Sequence, residues 1–150
     1  MRKSIVVYTP EELPLINQWL AGCRFERSRI TFAAGKSQLE IPYQRVERER
    51  RTIMGGVPLF RKWRVPVVEW HLRILHVENF HVHSIQSDHG RECDYFNAIS
   101  WDAAKRRVEL STAFSRGLEI TVGKLNMTAV DTGRVVREKT EWPFQRYWEG

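Results

Sequence analysis

The sequence is poor in cysteine and contains no long apolar run. Its 150 residues include only Cys23 and Cys93, which do not form a Cys-x-x-Cys pair. The sequence therefore predicts neither a disulfide framework nor a cysteine-rich zinc site, and the simplest interpretation is two buried thiols. No apolar stretch approaches the roughly 20 residues that a membrane-spanning helix needs, so we do not expect a membrane protein.

A secretory signal is also not expected, because the apolar run that starts at Ile5 ends within a few residues at Thr9. The predicted compartment is the cytoplasm. Disorder is not expected, since 42% of the residues are hydrophobic and the chain holds six Trp, four Tyr and seven Phe, which can offset the entropy of the unfolded chain. A chain of this length and composition predicts one globular domain spanning residues 1–150.

The formal charge of +6 comes mainly from arginine, with 18 Arg against 6 Lys and 18 acidic residues. A basic chain attracts polyanions if its charges share one face. In the most basic stretch, 45–51, the arginines alternate with Glu47 and Glu49. We therefore expect much of the charge in this stretch to be cancelled locally.

One helix is well marked near the N-terminus. Thr9 can cap it, Pro10 suits its first position, and the two glutamates that follow complement the positive end of its dipole. Gly22 is expected to end it. The side chains expected on its apolar face recur at helical spacing: Leu13, Ile16, Trp19 and Leu20.

Beyond the helix the hydrophobic period changes to two, which predicts strands. Two hairpins are expected, one across the glycine-containing loop 33–37 and one across 102–105, where Asp102 begins the connection. The predicted fold class is therefore mainly β: an antiparallel sandwich or open β-barrel with one N-terminal helix.

Three details of the later strands are also predicted. A one-residue slip of the apolar phase at Gly123 predicts a β-bulge that could turn a sheet corner. The segment 131–134 predicts a tight turn. The side chains expected on one face of the second hairpin's first strand are Tyr95, Ile99 and Trp101.

Nucleotide-fold and hydrolase motifs are absent, because the sequence contains no G-x-G-x-x-G and no G-x-S-x-G. The segment 35–37 copies the end of a phosphate-binding P-loop, but Ile30 takes the place of the leading glycine. The residues after it alternate like a strand, so this segment predicts a hairpin loop.

The best candidate for chemistry is a histidine group. Alternation places His81 and His83 on the same face of a predicted strand. Asp88 and His89 follow in the next loop and could complete a site for Fe, Zn or Mn. The spacing of the two strand histidines and the aspartate resembles part of the cupin pattern, without that pattern's two glycines, and this resemblance implies a metal-dependent enzyme. The alternative interpretation is that both histidines lie on a solvated face.

A basic aromatic stretch at 60–64 has the composition of a single-strand nucleic-acid contact, with rings for stacking and cations for phosphates. Its candidate residues are Arg61, Trp63 and Arg64. The alternative interpretation is a charged surface hairpin or short helix whose aromatic side chains cover the edge of the core.

The C-terminal segment is unusually aromatic, and its candidate contact residues are Trp142, Phe144 and Trp148. This composition predicts a tail that docks on its own domain or on a second copy, or an anchor for a partner.

These aromatics and arginines favour a non-catalytic cytoplasmic binding or interaction module that forms a homo-oligomer or binds a protein partner. Such a module needs no cofactor. Two alternatives remain open at this point: a cupin-like enzyme that uses a transition metal, and a nucleic-acid-binding protein.

Overall fold

The computed structural model describes residues 3–55, 62–83 and 92–141. Of these residues, 62% lie in strands and 16% are helical, and the antiparallel sheet is open rather than closed on itself. The predicted fold class is therefore confirmed. No helix in these ranges combines the length and the apolar composition needed to cross a membrane.

The helix α1 spans Leu13–Leu20 and follows a 3₁₀ turn at Pro10–Glu12. Thr9 caps this turn as predicted, and its backbone N–H donates to Glu12 Oε1 at 3.0 Å. Gly22 follows the helix with a φ of +78°, a conformation that glycine adopts without strain. The predicted apolar face is confirmed, because three of its side chains are buried against the sheet and the fourth is half-buried: Leu13, Ile16 and Leu20, and Trp19.

Eleven strands lie in the described residues, and nine of them form one continuous row in the order β1-β11-β6-β4-β2-β8-β9-β10-β7. β3 pairs with β4 and β5 pairs with β6 beside this row. The strands are β1 Ser4–Val7, β2 Arg24–Glu26, β3 Thr31–Ala33, β4 Gln38–Val46, β5 Thr52–Gly55, β6 Lys62–Ile74, β7 Val77–Val82, β8 Cys93–Asp102, β9 Arg107–Thr112, β10 Leu118–Val122 and β11 Met127–Glu141.

Alternation along the central strands separates an apolar core face from a polar outer face. Tyr43 on β4 and Trp70 on β6 point to the core and are fully buried together with Phe96 of β8. Gln44 follows Tyr43 in the chain and Glu69 precedes Trp70. These two residues pair across the strands on the outer face. The outer face of β2, β4, β6 and β11 carries the candidate site described below.

Both predicted hairpins form. A turn at residues 34–37 joins β3 to β4, and a turn at residues 103–106 joins β8 to β9. In the second turn the Lys105 backbone N–H donates to Asp102 Oδ1 at 3.2 Å, as expected for an aspartate that begins a turn. The P-loop-like segment therefore lies in a hairpin loop, as predicted.

One predicted face is wrong in β8. The pairing with β9 shifts register between Phe96 and Ala98, which reverses the alternation along the strand. Phe96 and Ile99 are therefore both buried, while Tyr95 is on the outer face with 36% of its surface exposed. The irregularity places Tyr95 beside the candidate site.

Two further predictions are corrected in the last strands. The slip at Gly123 is not a bulge, because β10 ends at Val122 and the chain then crosses to β11 in another part of the sheet. Residues 131–134 do form a bulge, inside β11. There Asp131 Oδ1 accepts a hydrogen bond from the Gly133 backbone N–H at 2.7 Å. This local turn stabilises the bulge, and β11 continues beyond it.

Candidate functional site

A pocket of about 460 Å³ opens where α1 ends and β2 begins. The turn after the helix forms one wall, and β2, β4, β6, β8 and β11 supply the rest. Among the described residues that line it, none is aspartate or glutamate. Five are cationic: Arg24, Arg45, Arg48, Arg137 and Lys139.

Cross-strand pairing brings these side chains together from distant parts of the chain. Arg24 on β2 lies between Tyr95 of β8 and Gln44 of β4. Further along the same face, Val67 of β6 pairs with Arg137 of β11. Paired residues in an antiparallel sheet share a face, so the pocket combines cations with an aromatic ring, an amide and a small apolar floor.

Arg45 is held in place by two carboxylates and an indole ring. Its Nη1 donates to Glu47 and, at 2.7 Å, to Glu49 Oε1. Its Cζ lies 4.1 Å from the centroid of the Trp19 ring, a cation–π contact. The two carboxylates and the ring therefore fix the orientation of the Arg45 guanidinium at the edge of the pocket that this residue lines.

Glu47 is the buried member of this group, with 1% of its surface exposed. Its Oε1 accepts a hydrogen bond from Trp70 Nε1 at 3.1 Å. Burial and the nearby Glu49 carboxyl raise the pKa of Glu47 to about 7, although Trp70 and Arg45 act in the opposite direction. The pKa of Glu49 is about 2, because its hydrogen bonds with Glu47 and Arg45 outweigh its own burial.

A second carboxylate orients the cations at the other end of the pocket. Glu141 on β11 is buried and accepts two hydrogen bonds from Arg48 Nε, at 3.0 and 3.2 Å, and one from Arg48 Nη2 at 2.8 Å. The Lys139 Nζ lies 3.9 Å from the same carboxylate. This fork-like contact fixes the plane of the arginine before any ligand arrives.

The other two cations have no such carboxylate. In the part of the chain that the structure describes, Arg24 and Arg137 form no ion pair with an aspartate or glutamate. A hydrogen bond to Cys93 raises the pKa of Arg24 above its usual range, so this side chain stays charged. The pocket therefore carries an excess of positive charge that its own neighbours do not cancel.

Two neutral groups in the pocket can contact a ligand. Gln44 Oε1 is buried and has no hydrogen-bond partner among the described residues. The Tyr95 ring meets Phe114 edge to face, with 5.9 Å between the ring centroids. A third group, the Cys23 thiol, is buried, and burial raises its pKa to about 12, so it is not an activated nucleophile.

The predicted histidine pair lies elsewhere, at the C-terminal end of β7. His81 and His83 share a face as predicted, with ring centroids 4.4 Å apart and planes nearly perpendicular. His83 Nε2 lies 3.4 Å from Glu119 Oε1. No three His, Cys, Asp or Glu side chains within 3–55, 62–83 and 92–141 are placed to hold a metal ion. Asp88 and His89 lie outside those ranges, so the metal site stays a prediction.

The predicted aromatic surface is described only in part. Trp63 on β6 is half-buried, and the Arg51 Cζ lies 4.5 Å from its ring centroid. Arg64 Nε forms an ion pair with Glu138 Oε2 at 3.0 Å. The remaining residues predicted for this surface lie outside the described ranges: Arg61, Trp142, Phe144 and Trp148.

Sequence reasoning correctly expected the charge of 45–51 to be partly cancelled, but it missed the pocket. The pocket residues come from strands that are not consecutive in the chain, so no local motif marks them.

In comparisons with known proteins, no family model, no curated protein and no solved structure matches this chain.

Proposed function

We propose that this protein is a non-catalytic binding module whose pocket takes an anionic ligand. The observation that carries the proposal is the set of five cationic side chains around one pocket whose described lining includes no carboxylate. Because Glu47, Glu49 and Glu141 stand behind three of these cations, the cations are oriented before binding, which lowers the entropic cost of holding an anion. Arg24 and Arg137 supply the charge that an anion would neutralise.

Binding rather than catalysis is supported by the chemistry of the lining. Cys23, the one thiol among the described residues of the lining, has a raised pKa, and a nucleophile needs the opposite shift or an adjacent base. The proposed compartment remains the cytoplasm. Two free cysteines support a reducing environment.

Isothermal titration with pyrophosphate tests this function. We expect binding that weakens as salt rises, because the contact is electrostatic. Arg24→Gln and Arg137→Gln should each weaken it by about ten- to a hundredfold, since a charge-assisted hydrogen bond contributes roughly 1.5–3 kcal/mol. Arg106→Gln is the matched control, because this arginine is 56% exposed and lies in the β8–β9 turn away from the pocket. Absence of binding, or an equal loss in the control variant, would contradict the proposal.

A second candidate function, self-association or protein binding, is favoured by exposed apolar side chains on β5. Ile53 and Met54 are 52% and 44% exposed, and Ile53 pairs with Trp63 of the predicted interaction surface. If this surface associates, Ile53→Lys should reduce the mass measured by light scattering. Val135→Lys, at an equally exposed position on β11, should leave the mass unchanged. A monomeric wild-type chain would rule out self-association through this surface.

A further inference from the structure

The pocket is longer than a single inorganic anion requires. Tyr95 on β8 and Arg137 on β11 stand four strand spacings apart in the sheet order, which is roughly 19 Å at about 4.8 Å per spacing. Its volume of about 460 Å³ falls in the range of roughly 300–1,000 Å³ that is typical of pockets for organic ligands. A phosphate bound at either end would leave the other end empty.

The two ends differ in chemistry. Arg48, Arg137 and Lys139 lie at the end formed by β11 and the 3₁₀ turn after β4. Tyr95 lies at the β8 end, where its edge-to-face contact with Phe114 fixes the orientation of its ring. An aromatic ring beside cations is an arrangement that stacks on a planar ligand group while the cations bind its phosphates.

Gln44 lies between these ends and carries an unmet hydrogen-bonding requirement. Its Oε1 is buried without a donor among the described residues, and it is separated from Tyr95 by only one strand, at Arg24. A buried acceptor is satisfied when a ligand brings an N–H or O–H. Glutamine amides recognise the polar edges of nucleic-acid bases in this way.

We propose that the pocket binds a ligand in which a planar ring with an N–H donor is joined to two or more phosphates, as in a nucleoside diphosphate or triphosphate. This inference rests on the proposed function, because it requires that the pocket bind anions. The ring stacks on Tyr95, a rotation of the buried Gln44 amide brings its Oε1 to the ring N–H, and the phosphates extend from Arg24 toward Arg137.

Titration calorimetry with ADP, pyrophosphate and adenosine, in the presence of a chelator, tests this inference. We expect ADP to bind at least tenfold more tightly than pyrophosphate, and adenosine to bind most weakly. Tyr95→Leu should remove the advantage of ADP and leave pyrophosphate binding unchanged, whereas Tyr95→Phe should retain the advantage. Gln44→Met should reduce the affinity for ADP about fivefold. Thermal unfolding of each variant checks that it is folded.

The outcomes separate the two proposals. Equal affinities for ADP and pyrophosphate would overturn the ring inference and leave anion binding intact, while no binding by either probe would overturn both. A 5′-phosphorylated tetranucleotide distinguishes the source of the ligand. If it binds more tightly than ADP and depends equally on Tyr95, the same ring-and-phosphate chemistry comes from a single-stranded nucleic acid. If ADP binds more tightly, the ligand is a free nucleotide.

Discussion

Two buried carboxylates, Glu47 just after β4 and Glu69 on the neighbouring strand β6, have opposite electrostatic environments. Glu47 and Glu69 are 1% and 4% exposed, yet the pKa of Glu47 is raised and that of Glu69 is lowered. Burial acts in the same direction on both, because it penalises the charged form of any carboxyl. The opposite directions of the two pKa shifts therefore depend on whether the charges around each carboxyl outweigh its burial.

Glu69 lies close to two arginines and a histidine. Arg29 Nη1 lies 2.7 Å from Glu69 Oε1, and Arg134 Nη1 and His71 Nε2 lie 3.4 and 3.6 Å from Oε2. Burial raises the pKa of Glu69, but the Arg29 hydrogen bond, with the charges of Arg29, His71 and Arg134, outweighs it. This carboxylate holds the outer face together as a structural ion pair.

Glu47 has one close cation, and it shares that cation with Glu49. The like charge of the second carboxylate adds to the cost of burial instead of offsetting it. The carboxylate with too little compensation is the one that contacts Arg45, whereas the well-compensated one pairs across the strands with Gln44. Such an imbalance is more typical of functional sites than of structural ion pairs.

The largest effect is expected from removing the main partner of Glu69. Arg29→Ala should lower the free energy of unfolding by about 2–3 kcal/mol at pH 7, because a buried carboxylate loses its closest arginine and keeps the more distant Arg134. Urea unfolding measures the change. Glu69→Gln in the same chain should recover most of the loss.

Arg73→Ala is the matched control for that variant. Its side chain is 41% exposed, as against 40% for Arg29, but its partner Glu40 is 27% exposed. We expect a loss below about 1 kcal/mol, as is typical of a pair open to solvent. Equal losses in the two variants would show that burial of the carboxylate is not the cause.

Glu47 predicts a pH dependence of stability. The unfolded chain ionises this carboxyl near pH 4.5, but the folded chain does so only near pH 7. Between these values the unfolded state releases the proton first, so the free energy of unfolding should fall from pH 5 to pH 8, by on the order of 2 kcal/mol. Glu49 is ionised in both states over this window and contributes only below about pH 4.5, where stability is lost as the pH falls.

Urea unfolding of wild type and Glu47→Gln at several pH values measures this effect. Glutamine retains an acceptor for Trp70 Nε1, so the variant should be more stable than wild type at pH 8, and the difference between the two chains should disappear near pH 5. Other titratable groups contribute equally to both chains, so their contributions cancel in this comparison. A difference that does not change with pH would rule out Glu47 as its source.

The helix, the hairpins and the fold class were predictable because their determinants are local. Thr9 and Pro10 mark a helix start within four residues, and alternation over a few residues marks a strand. The pocket was not predictable in this way, because alternation determines which face a residue occupies but not which strand lies beside it. Arg24 and Arg137 are brought to one pocket only by the order β8-β2-β4-β6-β11.

The position of Tyr95 was missed for a different reason. A register shift after Phe96 reverses the alternation of β8, and no glycine or proline in that part of the strand marks the irregularity.

The charge of 45–51 was interpreted correctly as partly cancelled, yet the sequence does not show that Arg45 and Arg48 use partners on opposite sides of the pocket. Buried carboxylates paired over long sequence separations, such as Glu141 with Arg48, cannot be recognised from local spacing.

The proton on Glu47 should also affect binding in the pocket, by a smaller amount. When Glu47 is protonated, it competes less for the Arg45 guanidinium, so an anion should bind more tightly at pH 6 than at pH 8, by about three- to tenfold, or roughly 1 kcal/mol. Sulfate is the suitable probe because its charge is constant over this range, and no histidine is among the described residues that line the pocket. Titration calorimetry should show Glu47→Gln binding equally at both pH values, and equal affinities in the wild type would contradict the coupling.

The smallest effect is expected where both partners are exposed. Arg64 and Glu138 form an ion pair at 3.0 Å, close to the 2.7 Å of Arg29 and Glu69, but each side chain is 52% exposed. In a double-mutant cycle with Arg64→Gln and Glu138→Gln, the coupling energy should stay below about 0.5 kcal/mol and should decrease with salt. Distance is nearly matched between the two pairs, so burial is the variable that this cycle isolates. A coupling energy as large as that of the Arg29 and Glu69 pair would mean that burial does not set the strength of these ion pairs.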